Sequence, residues 1–263
     1  MTTSGKLVNR HALVTGAGSG IGAAIARTLA AEGAHVTLAG RRREPLEALA
    51  AEIGADKVFV ADGFDVTDAA AIARGLAAAR EKFGPVGILV NNAGEAPTAP
   101  FEKTSLDMWN HVLSVDLTGV FQVTQAVLAD LKASGAGARI VNIASTAGLT
   151  GYGYVSAYVA AKHGVVGLTR ALALELAKTG ITVNAVCPGF TDTPIIERSI
   201  ETIVAKTGRS REEALAQFTK SNPQGRLIQP QEVADTVLWL TSSGAASING
   251  QAIAIAGGEV LAG

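Results

Sequence analysis

The chain is short of the features that would tie it to several common roles. It holds one cysteine, Cys187, in 263 residues, so no disulfide can close within it. Charge is scarce, at 17% of residues, and nearly balanced, with 22 lysines and arginines against 23 acids. Such a chain has no field to concentrate polyanions, and apart from Arg41, Arg42 and Arg43 its cations are scattered, so nucleic acid is not an expected partner. No uninterrupted apolar run approaches the roughly 18 to 20 residues that span a bilayer. The first thirty residues show no basic segment leading into an apolar one. A cytoplasmic setting without membrane contact is expected. His11, His35, His111 and His163 form no metal-ligand spacing, and no metal is expected.

What the chain does have is aliphatic side chains. Hydrophobic residues make up 48% of it, enough to bury a large core. Short Val/Ile/Leu runs at 11–15, 35–39, 57–61, 88–90, 139–144 and 182–187 read as strands. Between them, 21–32, 45–53, 69–83, 112–132 and 157–178 read as helices. This alternation predicts a doubly wound α/β fold, a parallel sheet covered on both faces, and a single domain over 1–263. Beyond Pro188 a charged, helix-like stretch, 195–218, precedes a helix over 230–240 and a last strand at 252–255. The stretch from about 190 to 226 is the candidate substrate lid.

Thr15-Gly16-Ala17-Gly18-Ser19-Gly20-Ile21-Gly22 follows the first strand and opens the first helix. Glycines stand where a side chain would block a tight turn or the approach of a pyrophosphate. Gly16, Ser19, Gly20, Ile21 and Gly22 are therefore candidate dinucleotide contacts at a helix N-terminus. The plainer alternative is a structural turn. An NAD site usually ends its second strand in an acid, whereas this chain reads Ala39-Gly40-Arg41-Arg42-Arg43. Guanidinium groups there can hold a 2′-phosphate, so Arg41 and Arg42 favour NADP(H) over NAD(H), unless they are merely solvated at a helix entrance.

Tyr158 and Lys162 stand four apart in a helical pattern and share one face. A phenol is a poor base at neutral pH, but an ammonium beside it favours the phenolate. Such pairs also arise by chance on helix surfaces. Ser145, thirteen residues earlier at the end of an expected strand, adds a hydroxyl at the sheet edge where ligands bind.

Together these residues resemble the short-chain dehydrogenase/reductase family. The resemblance rests on the Gly16/Gly20/Gly22 turn, Asn91-Asn92-Ala93-Gly94, Ser145, Tyr158 with Lys162, and Pro188-Gly189-Phe190-Thr191-Asp192-Thr193. It extends to Asn249-Gly250-Gln251 and Gly257-Gly258 and thins between 195 and 223. It implies a Rossmann-type fold and hydride transfer between a nicotinamide and a ketone or secondary alcohol. It implies that Tyr158 is the acid/base, that Lys162 holds the nicotinamide ribose, and that Ser145 hydrogen-bonds the substrate oxygen. Asn92, Ala93 and Gly94 would support the cofactor face. Asp65, with Val66, would lie at the adenine, although Asp65 can also be read as a helix cap. Pro188, Gly189, Thr191 and Thr193 would order the nicotinamide and phosphates. In one departure, Asp116 stands in the catalytic group where the family usually has asparagine, adding a charge and removing two amide donors.

Tyr152, Tyr154, Phe190 and Ile195 lie around the expected carbonyl. Several stretches, including Asn222-Pro223-Gln224-Gly225-Arg226, resemble reductases of 3-oxoacyl thioesters or polyketides and 3-hydroxybutyrate dehydrogenases. The leading expectation is an NADP(H)-preferring ketoreductase. An NAD-dependent dehydrogenase of secondary alcohols and a non-catalytic dinucleotide sensor stay open, although intact Ser145, Tyr158 and Lys162 speak against the sensor. The apolar helix faces over 112–131 and 165–176 resemble those by which the family assembles, and a homotetramer is expected. Cys187 is expected buried as a small apolar group and His163 at the surface.

Overall fold

Each strand grows from an aliphatic run: β1 (His11–Thr15), β2 (His35–Ala39), β3 (Val58–Ala61), β4 (Ile88–Asn91), β5 (Arg139–Ile143), β6 (Thr182–Pro188) and β7 (Ala252–Ile255). The computed structural model describes residues 5–261, so the ends of the expected domain, 1–4 and 262–263, lie outside the described residues. The strands pair in parallel in the order β3-β2-β1-β4-β5-β6-β7. β1, β4, β5 and β6 are buried along their whole length, as strands covered on both faces must be.

The helices are α1 (Gly20–Ala31), α2 (Arg43–Ile53), α3 (Ala69–Phe83), α4 (Leu106–Leu113), α5 (Gly119–Ser134), α6 (Ser156–Leu176), α7 (Pro194–Thr207), α8 (Arg211–Thr219) and α9 (Pro230–Thr241). Successive side chains of a strand enter opposite layers. Val14 joins Ile25, Leu29 and Val237 under α1 and α9, while Leu13 joins Leu76, Val123 and Leu131 under α3 and α5. The strand order reverses between β1 and β4, so the loops leaving them part and open a crevice at the C-terminal edge of the sheet.

Two expectations need correction. The long helix region expected over 112–132 begins earlier and is not regular: α4 runs into a π-helical turn, Ser114–Thr118, and only then into α5. A π turn admits one extra residue per turn, which a 3.6-residue period does not report. The run Leu106–Gly137 has the length and composition of a membrane-crossing helix, at mean hydropathy 1.4. Its Val120, Val123, Val127 and Leu131 are buried in the protein. The stretch 195–218 is likewise two helices. Gly208, at φ 69°, ends α7 in the left-handed region, and Ser210 starts α8 through a capping box with Glu213.

Candidate active site

After β1 the chain turns through Gly16, whose φ of 65° favours glycine; a Cβ there would fall 2.9 Å from Ala93 Cα. Asn92 braces this turn, its amide donating to the carbonyls of Thr15 at 2.9 Å and Gly16 at 3.2 Å. The N–H groups of Asn92 and Ala93 donate to Thr15 Oγ1 at 2.9 and 3.0 Å, a role for Thr15 that sequence reasoning missed. Thr193 reaches the turn from beyond β6, its methyl 3.1 Å from the place of a Cβ on Gly20. Ser19, the N-cap of α1, makes no side-chain cap bond, and the first turn, which includes Ile21 and Gly22, carries no acid. The first N–H groups of α1 are thus left for another acceptor.

Beyond β2, Arg41 and Arg42 are exposed and form no ion pair among the described residues, whereas Arg43 meets Glu47 at 2.7 Å and Asp62 at 3.9 Å. Asp65 Oδ1 accepts from the N–H and hydroxyl of Thr67 at 2.9 and 2.7 Å. The Thr67 N–H bond foremost, with help from the Arg41 charge, holds the Asp65 carboxyl below its usual range. Asp68, not Asp65, caps α3 through Ala70 and Ala71. Val66 is buried against Gly119. A glycine cradle, an uncapped helix start and two unpaired guanidinium groups fit a phosphorylated dinucleotide.

Tyr158 and Lys162 lie one turn apart on α6. Lys162 is 3% exposed. Its Nζ donates to the Ile143 carbonyl at 3.1 Å and lies 3.3 Å from Asp116 Oδ1 and 5.4 Å from the Tyr158 ring centroid. Burial works against the ammonium, but the charges of Asp116 and Tyr158 outweigh it and hold Lys162 above its usual range. Two of its three hydrogens are thereby engaged and the third is open.

Asp116 sits fully buried in the π turn, where its carboxylate oxygens accept from the Glu95 N–H at 3.3 and 3.4 Å. Burial raises its carboxyl above the usual range, against the pull of Lys162. Gly94 makes the room, since a Cβ there would stand 2.5 Å from Asp116 Oδ1. Glu95 turns its own carboxylate to His111.

Ser145 follows β5. Its Oγ accepts from the Ala147 N–H at 3.1 Å, capping the turn Thr146–Gly148, and its own hydrogen remains free to donate. Cys187 is buried as expected, its thiol pushed up to about 11 by burial. His163 is exposed.

On the substrate side, the Tyr152 hydroxyl lies 2.8 Å from both Thr146 Oγ1 and Glu259 Oε1, donating to the carboxylate. Burial first, then Glu259, pushes this phenol up to about 12. The Tyr152, Phe190 and Phe218 rings meet edge to face in series, at 6.0 and 5.2 Å between centroids. Tyr154 and Ile195 stand farther out, 71% and 46% exposed. Gly189, after Pro188, donates its N–H to Ile255 at 3.0 Å, and Thr191 Oγ1 donates to the Gly189 carbonyl at 2.9 Å. Glu259 packs over Gly189 as well. Sequence reasoning did not single out Glu259, whose only signal was the Gly257-Gly258 pair before it.

A family profile described as short chain dehydrogenase matches residues 10–203. The protein named "Granaticin polyketide synthase putative ketoacyl reductase 1", from Streptomyces violaceoruber, is 45% identical over 97% of this chain and 95% of its own length. A D-beta-hydroxybutyrate dehydrogenase of Cupriavidus necator is 38% identical over 97% of this chain and 99% of its own. A crystal structure of a single-substitution variant of actinorhodin polyketide ketoreductase with NADPH matches at a TM-score of 0.89 and 43% identity, covering 95% of this chain and 97% of that one.

Proposed function

Because the chain belongs to the short-chain dehydrogenase family, we propose that it is an NADP(H)-preferring oxidoreductase that reduces a 3-oxoacyl group or a related ketone to a secondary alcohol. The observation that carries this reading is Lys162, buried, held by Ile143 and Asp116, and set one helical turn from Tyr158 with a hydrogen to spare. Lys162 donates that hydrogen to a ribose hydroxyl and favours charge on Tyr158. The Tyr158 hydroxyl gives its proton to the carbonyl oxygen, and Ser145 donates to the same oxygen, lowering the cost of the charge that develops there. When bound, the nicotinamide supplies the hydride. Gly16, Ser19, Gly20, Ile21 and Gly22 receive the pyrophosphate, and Arg41 and Arg42 the 2′-phosphate. Asp65 and Val66 flank the adenine. Asn92, Ala93, Gly94, Pro188, Gly189, Thr191 and Thr193 line the nicotinamide half.

The chain works as one domain, with 190–226 as a lid over Tyr152. It acts on a small molecule in the cytoplasm, without nucleic acid or membrane, as a homotetramer built through α5 and α6. Phe121 and Leu174 on those helices are 47% and 82% exposed.

Titration with NADPH and NADH, followed by nicotinamide fluorescence, tests the reading. NADPH is expected to bind more tightly, and Arg41→Ala to remove roughly tenfold or more of that preference, since a hydrogen bond to a charged group contributes about 1.5–3 kcal/mol. Tyr158→Phe is expected to bind cofactor without turnover. Equal or tighter binding of NADH would overturn the 2′-phosphate assignment in favour of an NAD-dependent dehydrogenase like the relative from Cupriavidus necator.

A further inference from the structure

Resting on the acid–base roles just proposed, we infer that Asp116 is a positioning residue that neutralises Lys162 and so sets the working pH of the site higher than an uncharged side chain at 116 would. The two charges lie 3.3 Å apart, with Asp116 fully buried and Lys162 nearly so, where water screens them little. The Tyr158 ring centroid is 5.4 Å from the ammonium. At that range an ammonium alone presents a full positive charge to the phenol, whereas the ion pair presents a dipole in which the carboxylate offsets part of that charge.

The carboxylate cannot turn away. The π turn aims it inward, the Glu95 N–H bonds both of its oxygens, and Gly94 lets the backbone close over it. None of this requires a charge. An asparagine fills the same volume and accepts the same N–H, so packing does not explain the carboxylate.

The other groups facing the pair leave the balance to Asp116. Glu95 lies in the loop after β4 with its carboxylate on His111 of α4; its charge bears on Asp116, but equally in the parent chain and in Asp116→Asn. β5 offers the Ile143 carbonyl, which is neutral. On β6, Cys187 stays a thiol because burial pushes it up to about 11, and the Arg170 charge bears on that thiol. Farther out, Glu259 is bonded to Tyr152, which stays neutral. Lys162, 5.4 Å from the Tyr158 ring, and its buried partner Asp116 are thus the charges through which a change at position 116 reaches Tyr158.

The test compares Asp116→Asn with the parent chain by two readouts. In the first, the pH profile of alcohol oxidation with NADP is recorded. Its rising limb is expected to move down by about one pH unit or more, the range by which a neighbouring charge shifts a titration. The second uses the protein without cofactor: tyrosinate absorbance is titrated in each background and in its Tyr158→Phe counterpart, and the difference isolates Tyr158. That difference is expected to shift down by a similar amount. Should Asp116→Asn fold poorly, Asp116→Ser provides the same comparison. Coincident titrations in both backgrounds would overturn the inference, since they would mean that residue 116 carries no charge that Tyr158 senses. Absence of turnover in the parent chain would count against the proposed reaction alone, because the absorbance titration needs none.

Discussion

At the N-terminal edge of the sheet, buried and half-buried polar groups are tied to fixed partners. Arg10 donates to the carbonyls of Thr241 at 3.0 Å and Gly87 at 3.5 Å, and also to Gly137. Arg139, 4% exposed, donates from Nη1 to the carbonyls of Ala136 and Ala138, while its buried Nε meets no acceptor. His11 lies 2.8 Å from both the Gly84 carbonyl and Thr37 Oγ1. At the C-terminal edge, groups of the same kinds are held as firmly on one side and left open on the other. Lys162 has its third hydrogen, Ser145 its hydroxyl hydrogen, α1 its first N–H groups, and Arg41 and Arg42 their whole guanidinium groups. A cation surrounded by carbonyls staples loops together, whereas one with a donor to spare can meet a ligand.

The sharpest break of this contrast is Lys162→Met. It leaves Asp116 buried without its counter-charge, and removing one partner of a buried pair costs about 3–5 kcal/mol. Urea unfolding is expected to show a loss near the lower end of that range, because Asp116 can relieve part of it by taking a proton. Arg10→Met strikes the other edge. With three carbonyls losing a charged donor that is itself partly exposed, a loss of about 2 kcal/mol is expected. The contrast requires kcat and KM of Arg10→Met to match the parent chain.

The smallest expected effect is the pH dependence at His11. Burial holds its pKa below the ordinary value. In acid, therefore, the unfolded chain takes up a proton that the folded ring resists. The stability contributed by neutral His11 is full above the unfolded value, about 6.5, and is lost as pH falls from there through the lower folded value. The difference in urea midpoint between about pH 7.5 and about pH 5 should shrink in His11→Gln.

How far the sequence carried these conclusions depended on whether the signal was local. The apolar run of β7 and the helical period of α3 fall where expected, because each needs only its own residues. The break between α7 and α8 was readable in Gly208 and in Ser210 with Glu213, but the charged pattern running across them reads as one helix. The π turn at Ser114–Thr118 leaves no periodic trace. The motifs brought Gly16, Asn92, Ser145, Tyr158, Lys162 and Thr193 to notice, and the fold gathers them at one edge of the sheet. Resemblance flagged Asp116 as a departure, yet its contact with Lys162 depends on the π turn and on Gly94. The bond between Tyr152 and Glu259 joins residues 107 positions apart, beyond any local pattern.

The central claim is that the open valences at the C-terminal edge do the chemistry and the closed ones opposite do not. NADPH consumption with a 3-oxoacyl thioester, measured side by side for the parent chain, Arg10→Met and Tyr158→Phe, tests it most directly. The expected result is equal rates for the first two, and for Tyr158→Phe a loss of about a thousandfold, within the range general acid catalysis supplies, with NADPH binding retained. Turnover by Tyr158→Phe at the rate of the parent chain would contradict the account.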